Sequence, residues 1–230
     1  MKDNTLTSRM VIISGGTKGL GRSLSFEFAR RGYEVVALFK SDEKAAQEMR
    51  HLSESQTLKI RCLKCNVTQF AEVQEISRQV SISGHQEVQI VHNACLQFQP
   101  KPMHLIEPDE YRAQSAVSAE GAFHLFKVFI KDLMACEQKL FSVILTEALR
   151  TQPRPKGFSA YLSGKAALQE FTESLKSEFT ARGLAVHSFF PGYMDTDLTQ
   201  NWDPRFRQSA LATADQVAQA IVSELCEKRG

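Results

Sequence analysis

Short apolar runs alternate along the chain with longer segments in which apolar residues recur every three or four positions. The short runs are typical of buried strands, and the longer segments are typical of helices that pack one face onto a sheet. We predict strands at residues 10–14, 34–39, 59–65, 87–92, 141–146 and 184–190. We predict helices at residues 23–31, 41–53, 70–81, 111–136, 160–182 and 214–227. This alternation predicts an α/β fold, with a doubly wound parallel sheet and helices on both of its faces.

The length and the charge of the chain narrow the class of protein. With 230 residues, 43% of them hydrophobic, the chain can bury one full core, and we predict a single domain over residues 1–230. Its 28 lysines and arginines nearly balance 26 aspartates and glutamates, which argues against nucleic-acid or membrane partners recognised by bulk charge. No apolar stretch is long enough to span a bilayer and residues 1–9 lack a signal-peptide core, so we expect a cytoplasmic protein.

The five cysteines do not form a pattern typical of disulfides or of a metal site. Their number is odd and they are scattered, whereas disulfide frameworks have even numbers at regular spacings. Cys62 and Cys65 form a C-x-x-C pair, but no second pair or histidine cluster follows at zinc spacing. We therefore expect buried thiols rather than a redox or metal site, and we assign no metal.

A glycine-rich loop, Ser-Gly-Gly-Thr-Lys-Gly-Leu-Gly at residues 14–21, joins the first predicted strand to the first predicted helix. Ligands of parallel α/β sheets bind beyond the carboxyl ends of the strands, where this loop lies. Its glycines allow a tight turn and a close approach to a pyrophosphate, which the free N–H groups of the helix N-terminus attract. We predict a dinucleotide-binding loop, and the alternative is a plain glycine-rich turn. The residues assigned to this loop are Ser14, Gly15, Thr17, Lys18, Gly19, Leu20 and Gly21.

Tyr161 and Lys165 are four residues apart on a predicted helix and therefore share one of its faces. Reduction of a ketone needs a hydride and a proton donor within hydrogen-bond reach of the developing alkoxide. A free tyrosine, with a pKa of about 10, is a weak acid at neutral pH, and a nearby ammonium group stabilises its phenolate. The pair predicts a proton donor for carbonyl reduction, although an isolated pair of this kind could also be an ordinary surface pair.

Four motifs follow one another in the chain. The glycine loop is similar to T-G-x-x-x-G-x-G with Ser14 in place of threonine, and His-Asn-Ala-Cys at residues 92–95 is similar to N-N-A-G. Residues 161–165 match Y-x-x-x-K, and residues 191–196 match P-G-x-x-x-T. Together the motifs resemble the short-chain dehydrogenase/reductase family, which implies a Rossmann-type fold and a nicotinamide cofactor. The resemblance also implies cofactor contacts from Asn66, Val67, Asn93, Ala94, Tyr161, Lys165, Pro191, Gly192 and Thr196.

The end of the second predicted strand influences the choice between NAD and NADP, because in this fold it faces the adenosine ribose. An acidic side chain there accepts from the 2′-OH of NAD, and a basic side chain pairs with the 2′-phosphate of NADP. Lys40 follows this strand and Lys18 lies in the glycine loop, which favours NADP(H). Asp42 is close enough in sequence to favour NAD instead, and Lys40 could also be a solvated surface residue.

Two of the four catalytic positions that the resemblance implies are altered. A serine is expected about thirteen residues before the tyrosine, and the count falls on Ala148, whose side chain cannot hydrogen-bond a carbonyl oxygen. Ser118 aligns with an asparagine expected in the preceding long helix, and we assign Ser118 a catalytic role. Losing one such donor typically costs about 10²- to 10³-fold in rate. Thr146 and Glu147 are the candidate substitutes, and Thr146 would share the face of Ala148 if the strand continued.

These residues predict an NADPH-dependent oxidoreductase that reduces a carbonyl. The chain most resembles 3-oxoacyl-carrier-protein reductases, which implies a β-ketoacyl thioester substrate, free or bound to an acidic acyl carrier protein. The basic residues that would face such a carrier, or that could equally be scattered surface cations, are Lys131, Arg150, Arg154, Lys156 and Lys176. The altered positions favour two alternatives: a catalytically weak or inactive NADP-binding partner of an active paralogue, or an NADP-sensing module without chemistry.

The resemblance also implies how copies of the chain would associate. Relatives continue past the last helix into a further strand that one tetramer interface uses, and we expect that strand to be lacking here. We therefore predict a homodimer, or a heterodimer with a related reductase, through the helices at residues 111–136 and 160–182. Residues 199–209, which include Trp202 and Phe206, are typical of a short substrate lid, and Trp202 could equally serve packing.

Overall fold

The computed structural model describes residues 8–196, 198–199, 202 and 212–227 of the chain. The strands are β1 (Arg9–Ser14), β2 (Glu34–Phe39), β3 (Ile60–Lys64), β4 (Glu87–His92), β5 (Gln138–Ile144), β6 (Ala185–Phe189), β7 (Met194–Asp195) and β8 (Ala212–Thr213). The α-helices are α1 (Gly19–Arg30), α2 (Glu43–Ser55), α3 (Phe70–Gln79), α4 (Pro108–Ser115), α5 (Gly121–Ala135), α6 (Ser159–Phe179) and α7 (Ala214–Glu227). The short parallel pair of β7 and β8 is not predicted by the sequence.

Strands β1 to β6 form one parallel sheet in the spatial order β3-β2-β1-β4-β5-β6. The chain winds outward from β1 to β3 in one direction, and then returns to the centre and continues from β4 to β6. In the register of the central pair, Ser14 at the end of β1 lies beside His92 at the end of β4. The direction of winding reverses between these strands, and a crevice at such a point is where α/β sheets bind their ligands. The predicted doubly wound parallel sheet is confirmed.

The sheet is covered on both faces, and each face has its own apolar core. Along β1, Ile12 belongs to the core beneath α3, α5 and α6, whereas Val11 and Ile13 belong to the core beneath α1, α2 and α7. Successive side chains of a strand point to opposite faces, so burial of both faces explains why the strands are apolar almost without interruption. Replacing a residue such as Ile12 by alanine would cost about 2–5 kcal/mol of stability.

The long helix predicted at residues 111–136 is interrupted. α4 and α5 are joined by a π-helical turn, Ala116–Glu120, which accommodates one extra residue within the helix. The Nε2 atom of His92 lies 3.0 Å from the carbonyl oxygen of Val117 and ties this turn to the end of β4. The extra residue rotates the later side chains around the helix axis, so the orientation of Ser118 could not be derived from regular helical spacing.

β5 ends at Ile144, earlier than the predicted end at Thr146. Thr146 caps a 3₁₀ turn, Glu147–Leu149, by accepting a hydrogen bond from the N–H of Ala148. The strand therefore does not continue through these residues. The prediction that the side chains of Thr146 and Ala148 share one face assumed an extended strand, so it does not apply to this turn.

All five cysteines are free thiols in the structure. Cys62 and Cys65 are buried, and burial raises the pKa of Cys65 to about 12, so its thiol stays protonated at neutral pH. In the described part of the chain, no three His, Cys, Asp or Glu side chains come together as metal ligands do. Among the described helices, none has both the length and the apolar character needed to cross a membrane.

Candidate active site

A cavity of about 410 Å³ opens at the carboxyl ends of the sheet strands. It is lined by the loop after β1, by the segments that follow the other strands of the sheet, and by the first turns of α6. Most of the site residues predicted from the sequence meet in it. They are Gly15, Thr17, Lys18, Gly19, Leu20, Lys40, Asn66, Val67, Asn93, Ala94, Tyr161, Lys165, Pro191, Gly192 and Thr196. Three other predicted site residues, Ser14, Gly21 and Ser118, are buried and do not line the cavity.

Gly15 and Gly21 in the glycine loop favour glycine for different reasons. Gly15 has a φ of 64°, in the left-handed region, which turns the chain sharply after β1. At Gly21, an added Cβ would lie 2.0 Å from the carbonyl oxygen of Gly15, far inside contact distance. α1 can therefore begin directly behind the loop and present its first turn, Gly19 and Leu20, to the cavity. The free N–H groups of such a turn suit a phosphate group.

Ser14 holds the glycine loop against the end of β4. Its Oγ atom accepts hydrogen bonds from the N–H groups of Asn93 and Ala94, each at 3.1 Å. The hydroxyl proton is then donated to Nδ1 of His92, at 2.9 Å. These bonds assign His92 to the tautomer with its proton on Nε2, which donates to the carbonyl oxygen of Val117. The serine hydroxyl is thus a structural junction beside the cavity.

His92 is neutral in this position. Burial, followed by the positive charge of Lys165, lowers the pKa of His92 to about 3. A neutral imidazole can accept from Ser14 and donate to Val117 at the same time, which a protonated one cannot. The histidine therefore links the glycine loop, β4 and the π turn.

Lys18, Lys40 and Asp42 line the part of the cavity next to the end of β2. Lys18 pairs with Asp42, with 3.0 Å between Nζ and Oδ2. Asp42 also caps α2 by accepting from the N–H of Ala45, and this bond, followed by Lys18, lowers the pKa of the Asp42 carboxyl group. Lys40 is exposed, lines the cavity and forms no ion pair within the described residues. A ligand can therefore reach the charge of Lys40 directly, whereas Asp42 is already engaged.

Asn66 and Val67 follow β3 and form the neighbouring wall. The side-chain oxygen of Asn66 accepts from the N–H of Thr68 at 3.3 Å and from its hydroxyl at 3.0 Å, which fixes the orientation of the amide. The carbonyl oxygen of Val67 accepts from Nδ1 of His124 in α5, at 2.8 Å. Both residues are thus held in place by their own loop and by α5.

Tyr161 and Lys165 lie near the start of α6 and are buried. Nζ of Lys165 donates to the carbonyl oxygen of Ile144 at 2.6 Å and lies 5.9 Å from the centre of the Tyr161 ring. Burial raises the pKa of Tyr161, and a hydrogen bond with Thr146 opposes part of this effect. Burial also lowers the pKa of Lys165. The phenol therefore keeps its proton at neutral pH, with a lysine on the same face of the helix.

Thr146 is the hydroxyl that the structure brings to Tyr161. It lines the cavity, and its interaction with the phenol opposes part of the rise in the pKa of Tyr161. Ala148, which the count back from Tyr161 selects, is buried in the 3₁₀ turn and does not line the cavity. Glu147 is exposed, and its N–H donates to the carbonyl oxygen of Pro191. The count therefore falls on a residue outside the cavity lining, whereas Thr146, two residues earlier, lines the cavity.

Ser118 lies in the π turn, away from the cavity surface. Its side chain is buried, and its Oγ atom has no hydrogen-bond partner in the part of the chain that the structure describes. This atom would lie 3.2 Å from a Cβ added at Gly164, the residue before Lys165. Ser118 therefore packs against the backbone of α6 rather than facing a ligand, and its catalytic role stays a prediction.

Tyr161 belongs to a group of packed rings that we call the aromatic cluster: Phe98, Phe158, Tyr161, Tyr193 and Trp202. Sequence reasoning missed Phe98, Phe158 and Tyr193, because they belong to different segments and no motif or spacing connects them. Trp202, for which a lid or a packing role was open, is buried in the cluster. Phe206 lies outside the described residues, as does most of the predicted lid.

The model of the family described as short chain dehydrogenase matches residues 9–206 of this chain. The chain belongs to the short-chain dehydrogenase family. An acetoacetyl-CoA reductase of Shinella zoogloeoides is 23% identical to it over 233 residues, covering 97% of this chain and 93% of that protein. The resemblance inferred from the four motifs is confirmed, and the chain is a member of an oxidoreductase family with ketoacyl reductases among its low-identity relatives.

Solved structures share the fold at low sequence identity. A 3-ketoacyl-(acyl-carrier-protein) reductase from Brucella melitensis, complexed with NADH, has a TM-score of 0.83 at 18% identity, covering 95% of this chain and 91% of that one. An alcohol dehydrogenase from the archaeon Thermococcus sibiricus, complexed with 5-hydroxy-NADP, has a TM-score of 0.80 at 20% identity, with the same two coverages. These likenesses show the fold alone. The match to the short chain dehydrogenase family supports a nicotinamide cofactor for this chain.

Proposed function

We propose that this short-chain dehydrogenase is an NADPH-dependent reductase of ketones in which Tyr161 donates the proton. The observation that carries the proposal is the cavity that Tyr161, Lys165 and Thr146 line together with the glycine loop, in which Nζ of Lys165 lies 5.9 Å from the centre of the Tyr161 ring. A buried phenol that shares a cavity with a hydroxyl group and lies near Lys165 is suited to give a proton to a carbonyl oxygen. The acetoacetyl-CoA and ketoacyl reductases among the relatives support the same reaction.

The cavity residues fit a nicotinamide dinucleotide. The first turn of α1 offers N–H groups to a pyrophosphate, and Lys40 offers an accessible charge to a 2′-phosphate. The residues that we assign to the cofactor are Gly15, Thr17, Lys18, Gly19, Leu20, Lys40, Asn66, Val67, Asn93, Ala94, Tyr161, Lys165, Pro191, Gly192 and Thr196. Ser14 and Gly21 act indirectly, because they shape the loop from behind. Bound NADPH would supply the hydride to the carbonyl carbon.

The protein's own residues would orient the carbonyl and supply the proton. Thr146 and Tyr161 would both hydrogen-bond the carbonyl oxygen and hold it at the end of β5. As this oxygen gains negative charge, the proton passes to it from the phenol of Tyr161, and the ammonium group of Lys165 stabilises the remaining phenolate. The phenolate then takes a proton from water, so each turnover consumes a proton from solution. Burial of the pair limits the access of bulk water to the reacting oxygen.

We extend the proposal to a β-ketoacyl thioester as the substrate, by analogy with the named relatives. Lys131 and Lys156 are exposed and could meet an acidic carrier protein. The other three candidate cations, Arg150, Arg154 and Lys176, are engaged within the chain by an aromatic ring, carbonyl oxygens and a glutamate. A carrier would therefore depend mainly on the two exposed lysines.

The test is the oxidation of NADPH and of NADH, followed in parallel with acetoacetyl-CoA and a panel of other ketones. We expect NADPH to be consumed faster than NADH at equal concentration, and consumption to be lost in Tyr161→Phe. Full activity of Tyr161→Phe would contradict the role of the phenol. No consumption with any ketone would contradict the reductase function.

A second function, a catalytically weak NADP-binding partner of an active reductase, is favoured by Ser118. This residue stands where the family resemblance implies an asparagine, and it is buried away from the cavity. The helices predicted to form the dimer carry exposed aromatic residues, Tyr111 on α4 and Phe123 on α5, which suits a partner surface. Tight binding of NADPH without turnover, unchanged in Ser118→Asn, together with a stable complex with an active relative, would favour this function.

A further inference from the structure

We propose that the substrate carries a flat aromatic group next to the carbonyl that is reduced, as in a 3-aryl-3-oxoacyl thioester. The proposal rests on the reductase function above and narrows its substrate from β-ketoacyl groups in general. It comes from the aromatic cluster around Tyr161, whose other members have no part in the proton transfer.

Three rings of the cluster form one corner of the cavity, namely Phe158, Tyr193 and Trp202. The centre of the Phe158 ring lies 5.0 Å from that of Trp202 and 6.2 Å from that of Tyr193, and the last two are 6.1 Å apart. All three pairs meet edge to face, at interplanar angles of 82°, 69° and 81°. Aromatic rings prefer edge-to-face and offset contacts, so such a corner suits one more ring.

The corner is held in position relative to the reacting phenol. Nε1 of Trp202 donates to the carbonyl oxygen of Phe98 at 2.9 Å. The ring of Phe98 stacks on the ring of Tyr161, with 4.8 Å between centres and 18° between planes. A ligand ring in the corner would therefore lie at a defined distance from the proton donor. Fixed walls favour a rigid ligand, because a flexible acyl chain loses more conformational freedom when it is ordered.

Most of the charges that line the cavity lie away from the corner formed by Phe158, Tyr193 and Trp202. The charged side chains that line it, within the described residues, are Lys18, Lys40, Asp42 and Lys165. Three of these belong to the glycine loop and the end of β2, and the fourth contacts the end of β5. Within the described residues, the lining next to Phe158, Tyr193 and Trp202 is uncharged and includes Cys95 and Leu198. Two charges lie close by: Nζ of Lys165 is 5.9 Å from the centre of the Tyr161 ring, and Glu147, which does not line the cavity, adds to the effect of burial in raising the pKa of Tyr193. The part of the substrate that enters this corner is therefore apolar and carries no charge.

Trp202 is the single tryptophan of the chain and lines the corner, so its fluorescence reports on a ligand there. The probes are the 3-oxo-3-phenylpropanoyl and 3-oxononanoyl thioesters of N-acetylcysteamine, which have equal numbers of acyl carbons. Each is titrated into the protein with NADP⁺, which cannot reduce it, and free tryptophan corrects for absorption by the ligand. We expect the aryl thioester to have a Kd about tenfold lower, since favourable ring contacts are worth about that factor.

Turnover separates this proposal from the reductase function. With NADPH, we expect kcat/KM to be about tenfold higher for the aryl thioester than for the linear one. Equal or tighter binding of the linear thioester, or no change of Trp202 fluorescence with the aryl one, would overturn the aromatic substrate. Preferential binding of the aryl thioester without any turnover would support the aromatic site and overturn the reductase function instead.

Substitutions in the corner provide a second test. We expect Phe158→Leu to remove most of the preference for the aryl thioester, because it replaces a ring face by an aliphatic chain. Phe70→Leu is the matched control, since Phe70 is exposed at the start of α3 and does not line the cavity. If Phe158→Leu fails to fold, the partly exposed Tyr193→Leu tests the same corner. An undiminished preference in the folded corner variant would contradict the proposal.

Discussion

The two ends of the cavity are built from different parts of the chain. At the glycine loop, the binding groups are backbone N–H groups and the space left by missing Cβ atoms at Gly15 and Gly21. At Tyr161, they are side chains from separate segments, such as Thr146 after β5 and Trp202 far along the chain. A backbone site depends on the path of the chain, whereas a side-chain site can be altered one residue at a time. We therefore expect substitutions at the second end to change the chemistry while cofactor binding persists.

The largest expected effect that separates the two ends is that of Tyr161→Phe. Removing the proton donor should lower kcat on the order of 10³-fold, the middle of the range for general acid catalysis. The Kd for NADPH should change little, because Tyr161 is one of many residues assigned to the cofactor, and the glycine loop and Lys40 are untouched. Tyr111→Phe, an exposed tyrosine on α4, is the matched control and should keep full activity. A parallel loss of NADPH affinity in Tyr161→Phe would show that the two ends are not separable.

Thr146→Ala should have the next largest effect. Loss of a preorganised hydroxyl at the reacting oxygen is expected to lower kcat about 10²-fold. Thr146→Ser keeps the hydroxyl and should restore most of the rate, which separates the chemistry from the capping of the 3₁₀ turn. Ala148→Ser should leave kcat unchanged, because Ala148 does not line the cavity. A gain of activity in Ala148→Ser would instead favour the residue selected by the sequence count.

At the cofactor end, Lys40→Ala tests the contribution of the accessible charge of Lys40. A hydrogen bond to a charged group contributes about 1.5–3 kcal/mol, so the KM for NADPH should rise by roughly tenfold or more. The KM for NADH, which lacks the 2′-phosphate, should not change. Lys44→Ala, an exposed lysine on α2 outside the cavity, is the control. A preference for NADH in the wild-type protein would point to Asp42 as the ribose partner instead.

The cofactor end could be predicted from the sequence in considerable detail. The positions of the glycines indicate a tight turn after a strand, a helix that starts behind this turn, and a close backbone contact that leaves no space for a Cβ atom. Tyr161 and Lys165 were also predictable, because four residues along a helix keep two side chains on one face. The alternation of strands and helices determined the sheet, since buried parallel strands leave uninterrupted apolar runs.

The substrate end could not be predicted in the same way. From the sequence, Thr146 was one of two candidate substitutes for the expected catalytic serine. Counting back from Tyr161 assumes a length for the loop between β5 and α6, and the sequence alone does not show where β5 ends. The rings of Phe98 and Phe158 come together through tertiary packing, with no spacing that marks them. The π turn at residues 116–120 adds one residue to a helix whose apolar pattern gives no sign of it. Side-chain sites of this kind depend on details of loops and helix irregularities that local patterns do not encode.

His92 connects the two ends of the cavity, and we expect its replacement to change the stability of the fold. His92 accepts from Ser14 beside the glycine loop and donates to Val117 in the π turn. Burial, together with Lys165, lowers the pKa of His92 to about 3, whereas an unfolded chain has a histidine pKa of about 6.5. As the pH falls below about 6.5, the unfolded state therefore takes up a proton that the folded state does not. The stabilisation from neutral His92 is complete above that pH and is lost progressively towards about pH 3.

His92→Asn should remove this pH dependence, because an amide can also accept and donate but does not titrate in this range. Between about pH 6.5 and pH 5, the free energy of unfolding of the wild type should fall more steeply than that of the variant, by up to about 1.4 kcal/mol per pH unit. Urea denaturation at several pH values measures this difference. His51→Asn, an exposed histidine on α2, should follow the wild type. Parallel pH profiles for wild type and His92→Asn would mean that His92 titrates normally, and the junction between the two ends would then require a different hydrogen-bond assignment.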